Sequence, residues 1–205
     1  MEVFLGIAGA SGAPYALGLA RQLVAGGHTV GVSFTESGAT VCGHELYGDL
    51  AMPRDEVIDR FIADAGLDPA NVWAPKDYAS PYASGSARWD AAVVVPCSMS
   101  TLATIAQGAE QNLVQRAANV ALKEGRRLVI VPRETPLSLI QLENLTRLKR
   151  AGAEILPAMP AFYQLPSTLD DMVDFVVGKA CNLLGIEQSS LAEWRGQRSA
   201  LTDTR

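Results

Sequence analysis

Short apolar runs that stop at glycine- or proline-bearing turns and give way to helix-period segments constrain this chain more than any other feature. Val3 to Ala8 is such a run. It ends in Gly9-Ala10-Ser11-Gly12, after which Tyr15, Leu19 and Leu23 recur at helical spacing until Gly26-Gly27 stops them. Thr29 to Thr35 reads as a second strand and Ala39 to Leu50 as a helix carrying Glu45. Residues 51–88 are rich in Pro, Gly, Ala and Ser, with one helix expected from Asp55 to Ala65. Ala91 to Val95 is a β-branched run broken by Pro96-Cys97-Ser98, and Thr101 to Gln107 starts another helix. Asn112 to Glu124 is helical, and Arg127 to Val131 is an apolar strand. A helix from Leu137 to Arg150, a short strand from Glu154 to Leu156 and a closing helix from Leu169 to Leu184 complete the series. Strands without polar alternation are buried on both faces, and strands that alternate with helices pair in parallel. The expected fold is therefore α/β: a single-domain, Rossmann-like (flavodoxin-like), doubly wound parallel sheet with helices on both faces.

Composition narrows the function classes. A chain of 205 residues with 48% hydrophobic content can fill the two cores that such a sheet needs. Its 17 basic and 22 acidic residues leave a net charge of -5, and no Lys/Arg run forms the stripe that nucleic acid requires. No apolar run approaches the roughly 20 residues that span a bilayer. Met1 passes almost at once into the first strand, so a cytoplasmic protein without a membrane partner is expected. Cys42, Cys97 and Cys181 are odd in number and far apart, which suits buried reduced thiols better than disulfides. With only His28 and His44 beside them, no metal site is expected.

Ligands of doubly wound sheets sit outside the carboxyl ends of the strands, and the distinctive segments of this chain fall there. Gly9 to Gly12 can bring backbone close to a ligand and open the N-terminus of a helix to an anion, or can simply turn the chain. Neither the dinucleotide fingerprint nor the P-loop spacing is present. Ser98, Met99, Ser100 and Thr101 follow a Pro96 turn; their hydroxyls can hold a phosphate or ribityl chain, or cap the next helix. Thr35 adds a hydroxyl at the same edge, or is a solvated strand end. Arg133-Glu134 lies in a Pro-bounded loop directly after a strand, where a fixed guanidinium and carboxylate can position an anion and a proton. Tyr163, between Pro160 and Pro166, either donates its phenol to an anion or packs. Lys123 and Lys179, taken alone, read as solvated helix faces. Trp73, Trp89 and Trp194 read as core or subunit contacts.

Taken together the motifs resemble the UbiX-type flavin prenyltransferases, within the group of homo-oligomeric flavin-containing Cys decarboxylases. The matching stretches are Gly6 to Tyr15 (G-I-A-G-A-S-G-A-P-Y), Ala83 to Ser86 (A-S-G-S), Val95 to Gly108 (V-P-C-S-M-S-T-L-A-T-I-A-Q-G), Asn112 to Glu124 (N-L-V-Q-R-A-A-N-V-A-L-K-E), Val131 to Leu145 (V-P-R-E-T-P-L-S-L-I-Q-L-E-N-L) and Met159 to Pro166 (M-P-A-F-Y-Q-L-P). They cover most of residues 5–185. The resemblance implies a UbiX-like domain over residues 1–188, followed by a tail, residues 189–205, that can serve subunit contact. It implies a metal-independent reaction joining a dimethylallyl group from dimethylallyl phosphate to N5 and C6 of reduced FMN. The product, prenylated FMN, would serve a UbiD-type decarboxylase, and the enzyme would be a homo-oligomer, a dodecamer in the family.

Carried over by position, Gly9, Ala10, Ser11, Thr35, Ser98, Met99, Thr101 and Arg116 would contact FMN. Lys123, Arg133, Tyr163 and Lys179 would hold the substrate phosphate, and Glu134, with Ser11 and Glu45, would handle protons. Four departures from the family pattern stand out: Ser100 stands where Lys is usual, Gln141 where His is, Gln164-Leu165 where His-Arg is, and Lys179 where Arg is. A lysine cannot present arginine's bidentate fork, so the choice between mono- and diphosphate is open. Two other readings share the fold: an FMN-dependent decarboxylase of the same superfamily, and a flavin-delivery protein without chemistry. The segment P-x-M-N-x-x-M-W of the former is absent from this sequence.

Overall fold

A computed structural model describes residues 1–188; the tail, with Trp194, lies outside the described residues. Five strands form one sheet in the order β2-β1-β3-β4-β5. They are β1 (Glu2–Ile7), β2 (Thr29–Phe34), β3 (Ala91–Cys97), β4 (Arg127–Pro132) and β5 (Glu154–Ile155). Every pairing is parallel. Around them run α1 (Ala13–Ala25), α2 (Glu36–Tyr47), α3 (Arg54–Ala65), α4 (Met99–Ala106), α5 (Leu113–Lys123), α6 (Leu139–Arg150) and α7 (Leu169–Leu184). This is the doubly wound α/β fold the alternation predicts, with the strand order reversing between β1 and β3.

Strand period sorts the side chains. Val3, Leu5 and Ile7 enter one core with α1, α2, α3 and α7, while Phe4 and Ala8 enter the other with α4, α5 and α6. Both faces of the sheet are thereby covered. Phe34 and Phe61 meet edge to face in the first core, with centroids 5.2 Å apart, and Phe4 and Tyr82 anchor the second at 5.0 Å.

Of the boundaries that differ from the sequence expectation, three have a clear local reason. β3 does not stop at Val95 but continues through Pro96 to Cys97, with a register shift against β4 between Val94 and Cys97. Proline has no N–H for the ladder and is accommodated at such an irregularity. Val95 and Cys97 accordingly enter opposite cores, which a regular strand would forbid. α2 starts at Glu36 rather than Ala39 because the Thr35 hydroxyl accepts the Gly38 N–H at 3.0 Å and caps the helix. α6 starts at Leu139, two residues later than expected, because Ser138 and Gln141 close a capping box. Gln141, one of the family departures, thus has a structural partner: its Oε1 accepts the Ser138 N–H at 2.8 Å. No described helix is long and apolar enough to cross a membrane.

Phe61 is fully buried. Phe61→Ala should lower the unfolding free energy by about 3–5 kcal/mol through lost burial and the cavity left behind, as read by urea denaturation of the purified protein.

Candidate functional site at the carboxyl edge of the sheet

Backbone hydrogen bonds continue past the strand ends and tie the edge loops together. Thr35 N–H donates to the Ile7 carbonyl at 2.9 Å, Ala8 N–H to Pro96 at 3.1 Å, Arg133 N–H to Cys97 at 3.4 Å and Ala158 N–H to Pro132 at 3.0 Å. On this rim stand Gly9 to Gly12, Thr35, Ser98 to Thr101 and Arg133-Glu134. Arg133 Nε donates to the Ser11 carbonyl at 3.2 Å, joining loops 122 residues apart. Gly9 is required because a Cβ there would fall inside the Ser37 side chain, and Gly12 because its φ is 128°.

Glu45 has an unexpected position. One of its carboxylate oxygens, Oε2, accepts both the Gly12 and Ala13 N–H groups at 2.8 Å. The expectation that the α1 N-terminus offers these groups to an external anion is therefore corrected: a carboxylate of the chain itself takes them, as helix electrostatics favours. The same negative charge, added to burial, raises the Tyr15 hydroxyl and pushes the Cys42 thiol up to about 12. Cys97 is raised and Cys181 pushed up to about 11, both by burial, so all three cysteines are thiols at neutral pH.

The two hydroxyl turns are caps. Ser98 accepts the Thr101 N–H at 3.2 Å and donates to Thr101 Oγ1 at 3.1 Å, while Met99 packs into the second core. Thr35 is 9% exposed and caps α2, so it is not a solvated strand end. Ala10 is likewise buried, with Ser11 exposed beside it. Glu134 is half-buried, and its Oε1 accepts the Thr135 N–H at 3.1 Å, which orients the carboxylate. Tyr163 and Lys179 come together on one ring: the Tyr163 ring stands at 88° to Phe175 with centroids 6.0 Å apart, and Lys179 Nζ lies 5.5 Å from the same centroid.

Arg116 and Lys123 are placed elsewhere. Arg116 gives its Nε–H to the Ala83 carbonyl at 2.8 Å and pairs with Glu110 at 2.8 Å. Lys123, at the last turn of α5, pairs with Glu124. Lys123 lies just before β4 and Arg133 just after it, and six residues of strand span about 20 Å. A single chain therefore cannot bring Lys123 and Arg133 onto one phosphate. Among the described residues no group of His, Cys, Asp and Glu stands close enough to hold a metal ion.

A five-stranded parallel sheet in this order, with hydroxyl-capped helices and an arginine at the switch point, defines a mononucleotide-binding α/β class. A family model described as Flavoprotein matches residues 1–181. A flavin prenyltransferase UbiX of Halalkalibacterium halodurans is 49% identical over 95% of this chain and 93% of its own length. Among solved structures, AnUbiX (PadA1) in complex with FMN and dimethylallyl pyrophosphate superposes with a TM-score of 0.85 at 34% identity, covering 96% of this chain and 98% of that one. A dodecameric FMN-dependent UbiX-like decarboxylase from Escherichia coli O157:H7 gives 0.82 at 39% identity, covering 96% and 100%. The chain belongs to the flavoprotein family and, within it, to the UbiX flavin prenyltransferases.

Two outcomes follow from the rim and from the helix that carries Lys179. Glu45→Ala should cost about 1.5–3 kcal/mol of stability, the range for hydrogen bonds to a charged group, whereas Glu45→Gln, which keeps an acceptor oxygen, should cost less in the same denaturation experiment. Asp171 caps α7 through Ser167 and Thr168, whose backbone and hydroxyl bonds hold its carboxyl down to about 2 from the ordinary 3.8. A lowered carboxyl contributes stability that is complete above its unfolded value and is lost as pH falls through the folded one. The melting temperatures of wild type and Asp171→Ala should differ at neutral pH and converge as pH drops from about 3.8 to about 2.

Proposed function

We propose that the protein transfers a dimethylallyl group from dimethylallyl phosphate to N5 and C6 of reduced FMN, supplying prenylated FMN to a UbiD-type decarboxylase in the cytoplasm. The observation that carries this reading is the Arg133 bridge to Ser11, which sets a cation beside the Gly9 to Gly12 turn at the switch point, with Glu134 next to it in the chain.

The donor set on the rim fits a mononucleotide. Hydroxyl side chains at Ser11, Ser37, Ser98 and Ser100 follow the strand ends, Arg133 Nε reaches the Ser11 carbonyl, and a packed cradle at Gly9 admits no side chain. The Glu45 carboxylate repels an anion from the start of α1, so the flavin phosphate is better received near the capped starts of α2 and α4, at Thr35 and at Ser98 to Thr101. The reduced flavin is a substrate and supplies the electron-rich ring. Arg133, Tyr163 and Lys179 hold the prenyl phosphate and stabilise the charge it gains on leaving, which a cluster of cations and a phenol can do without a divalent ion. Glu134 takes the C6 proton when the second bond forms, with Thr135 fixing its orientation. Ser11 assists in proton handling, and Glu45 supports that turn from beneath.

Lys123 and Arg116 join this site from a second copy of the chain. The separation of Lys123 from Arg133 across β4 supports that arrangement, as do the exposed apolar side chains Leu139, Ile140, Phe162 and Leu165. The dodecameric relative supports a homo-oligomer of the same kind. A pure flavin carrier would have no use for Glu134.

Anaerobic incubation with reduced FMN and dimethylallyl monophosphate should add one C5 unit to the flavin, read by mass spectrometry. Glu134→Gln keeps the size of glutamate but accepts no proton, so it should retain FMN binding while ring closure slows roughly 10²-fold or more. An unchanged flavin mass with wild-type protein would overturn the reaction, and wild-type ring closure in Glu134→Gln would reassign the base.

A further inference from the structure

The Ala83 to Ser86 segment is held from two sides at the edge of the sheet opposite the rim. Arg116 Nε–H binds the Ala83 carbonyl at 2.8 Å. Arg126 gives one guanidinium nitrogen to the carbonyls of Gly85 at 2.8 Å and Ala87 at 2.7 Å, while its guanidinium carbon lies 4.2 Å from the centroid of the Trp89 ring. Trp89 is 5% exposed, so the platform is fixed by the core. Within the segment, the Ser84 and Ser86 hydroxyls lie 2.8 Å apart, and Ser86 N–H donates to Ser84 Oγ at 3.3 Å.

The clamped segment meets Lys123 at Gly85. A Cβ built on Gly85 would lie 2.5 Å from Lys123 Nζ and would collide with the Glu124 carboxylate. The ammonium therefore rests against the bare Gly85 backbone, beside Glu124, which pairs with it. An exposed lysine ordinarily samples many rotamers, and ordering one costs free energy that reduces affinity for its ligand.

We propose that Arg126 is a positioning residue that fixes Gly85 against Lys123 and so presents the Lys123 ammonium in one orientation to the prenyl phosphate. The proposal rests on the reading that Lys123 holds that phosphate. Arg126 suits the task because a planar guanidinium can stack on Trp89 and bind two carbonyls together, which a lysine cannot reproduce. Gly85 suits it because any side chain would displace the ammonium.

The test measures steady-state prenyl transfer, FMN affinity and thermal stability of the assembled enzyme with four single variants and the double variant Lys123→Ala/Arg126→Met. Arg126→Met keeps an apolar stem on Trp89 and removes both carbonyl bonds. It should raise KM for dimethylallyl phosphate roughly tenfold, the equivalent of about one such net hydrogen-bond energy, with the FMN Kd unchanged. Arg126→Lys should rescue little of this. Gly85→Ala acts on Lys123 from the other side and keeps the Arg126 clamp, so it carries the test if Arg126→Met fails to fold; the same selective rise in KM is expected. Lys123→Ala separates the two readings. If Lys123→Ala damages prenyl transfer and Arg126→Met adds nothing on top of it, Arg126 acts through Lys123. If Lys123→Ala is damaging but Arg126→Met and Gly85→Ala leave KM at the wild-type value, or lower stability alone, the positioning role is overturned. If Lys123→Ala leaves KM and kcat unchanged, the phosphate role of Lys123 fails first, and the Arg126 proposal with it.

Discussion

The sheet is buried on both faces, and this constraint decides where the chemistry can be. β1, β3 and β4 carry helices above and below, so their side chains are committed to two cores and none can reach a ligand from mid-strand. Functional groups must stand where the strands end. There the parallel ladder does not simply stop: Ala8 bonds to Pro96, Arg133 to Cys97 and Ala158 to Pro132, each with the same backbone groups that pair the strands. Four loops thereby inherit the rigidity of the sheet. Loops placed this way can hold a substrate at fixed distances without relying on their own packing alone.

Charge on that rim is divided with some economy. The strongest backbone anion site of the first βα turn is filled by Glu45, which stabilises α1 and makes its start negative. The Arg133 guanidinium, bound to the Ser11 carbonyl, then supplies a positive charge at the same turn. In the proposed reaction this separation matters, because two phosphates must be accommodated near one flavin without exchanging places. A carboxylate at one helix start and a cation on the neighbouring loop give each phosphate a different preferred neighbour. The thiols take no part: Cys42, Cys97 and Cys181 are buried and protonated.

Much of this was legible in the sequence, and the gaps have physical causes. Apolar runs of the right length showed β1, β2, β3 and β4, since a strand buried on both faces leaves no polar alternation to confuse the pattern. Boundaries were lost where a side chain rather than a periodicity sets them. Thr35, Ser138 and Gln141 move helix starts by capping, and Pro96 lets β3 run on through a register shift. The Glu45 clamp was invisible because it joins positions 33 and 32 residues apart by hydrogen bonds that no local pattern encodes. The separation of Lys123 from Arg133 was legible in principle. Only ten positions part them, but those positions include a whole strand, and a strand carries the chain from one edge of the sheet to the other. In the proposed reaction both serve one phosphate, which takes a second copy of the chain, and no pattern within a single sequence displays that.

Lys179 shows how a departure from the family pattern can be absorbed. Arginine orders itself through a planar fork, whereas lysine is a point charge on a flexible stem and must be ordered by its surroundings. Here Phe175 supplies that order, since its ring lies 5.5 Å from the Lys179 ammonium and meets Tyr163 at its edge. The two proposed phosphate ligands thus share one apolar platform on α7, and the Thr168 and Asp171 capping box fixes the start of that helix. Lysine gives up bidentate geometry but keeps full charge with three donors that can turn toward whichever oxygens a phosphate presents. In the proposed reaction, a phosphate site built on this pair would be set by the position of α7 more than by the shape of the cation.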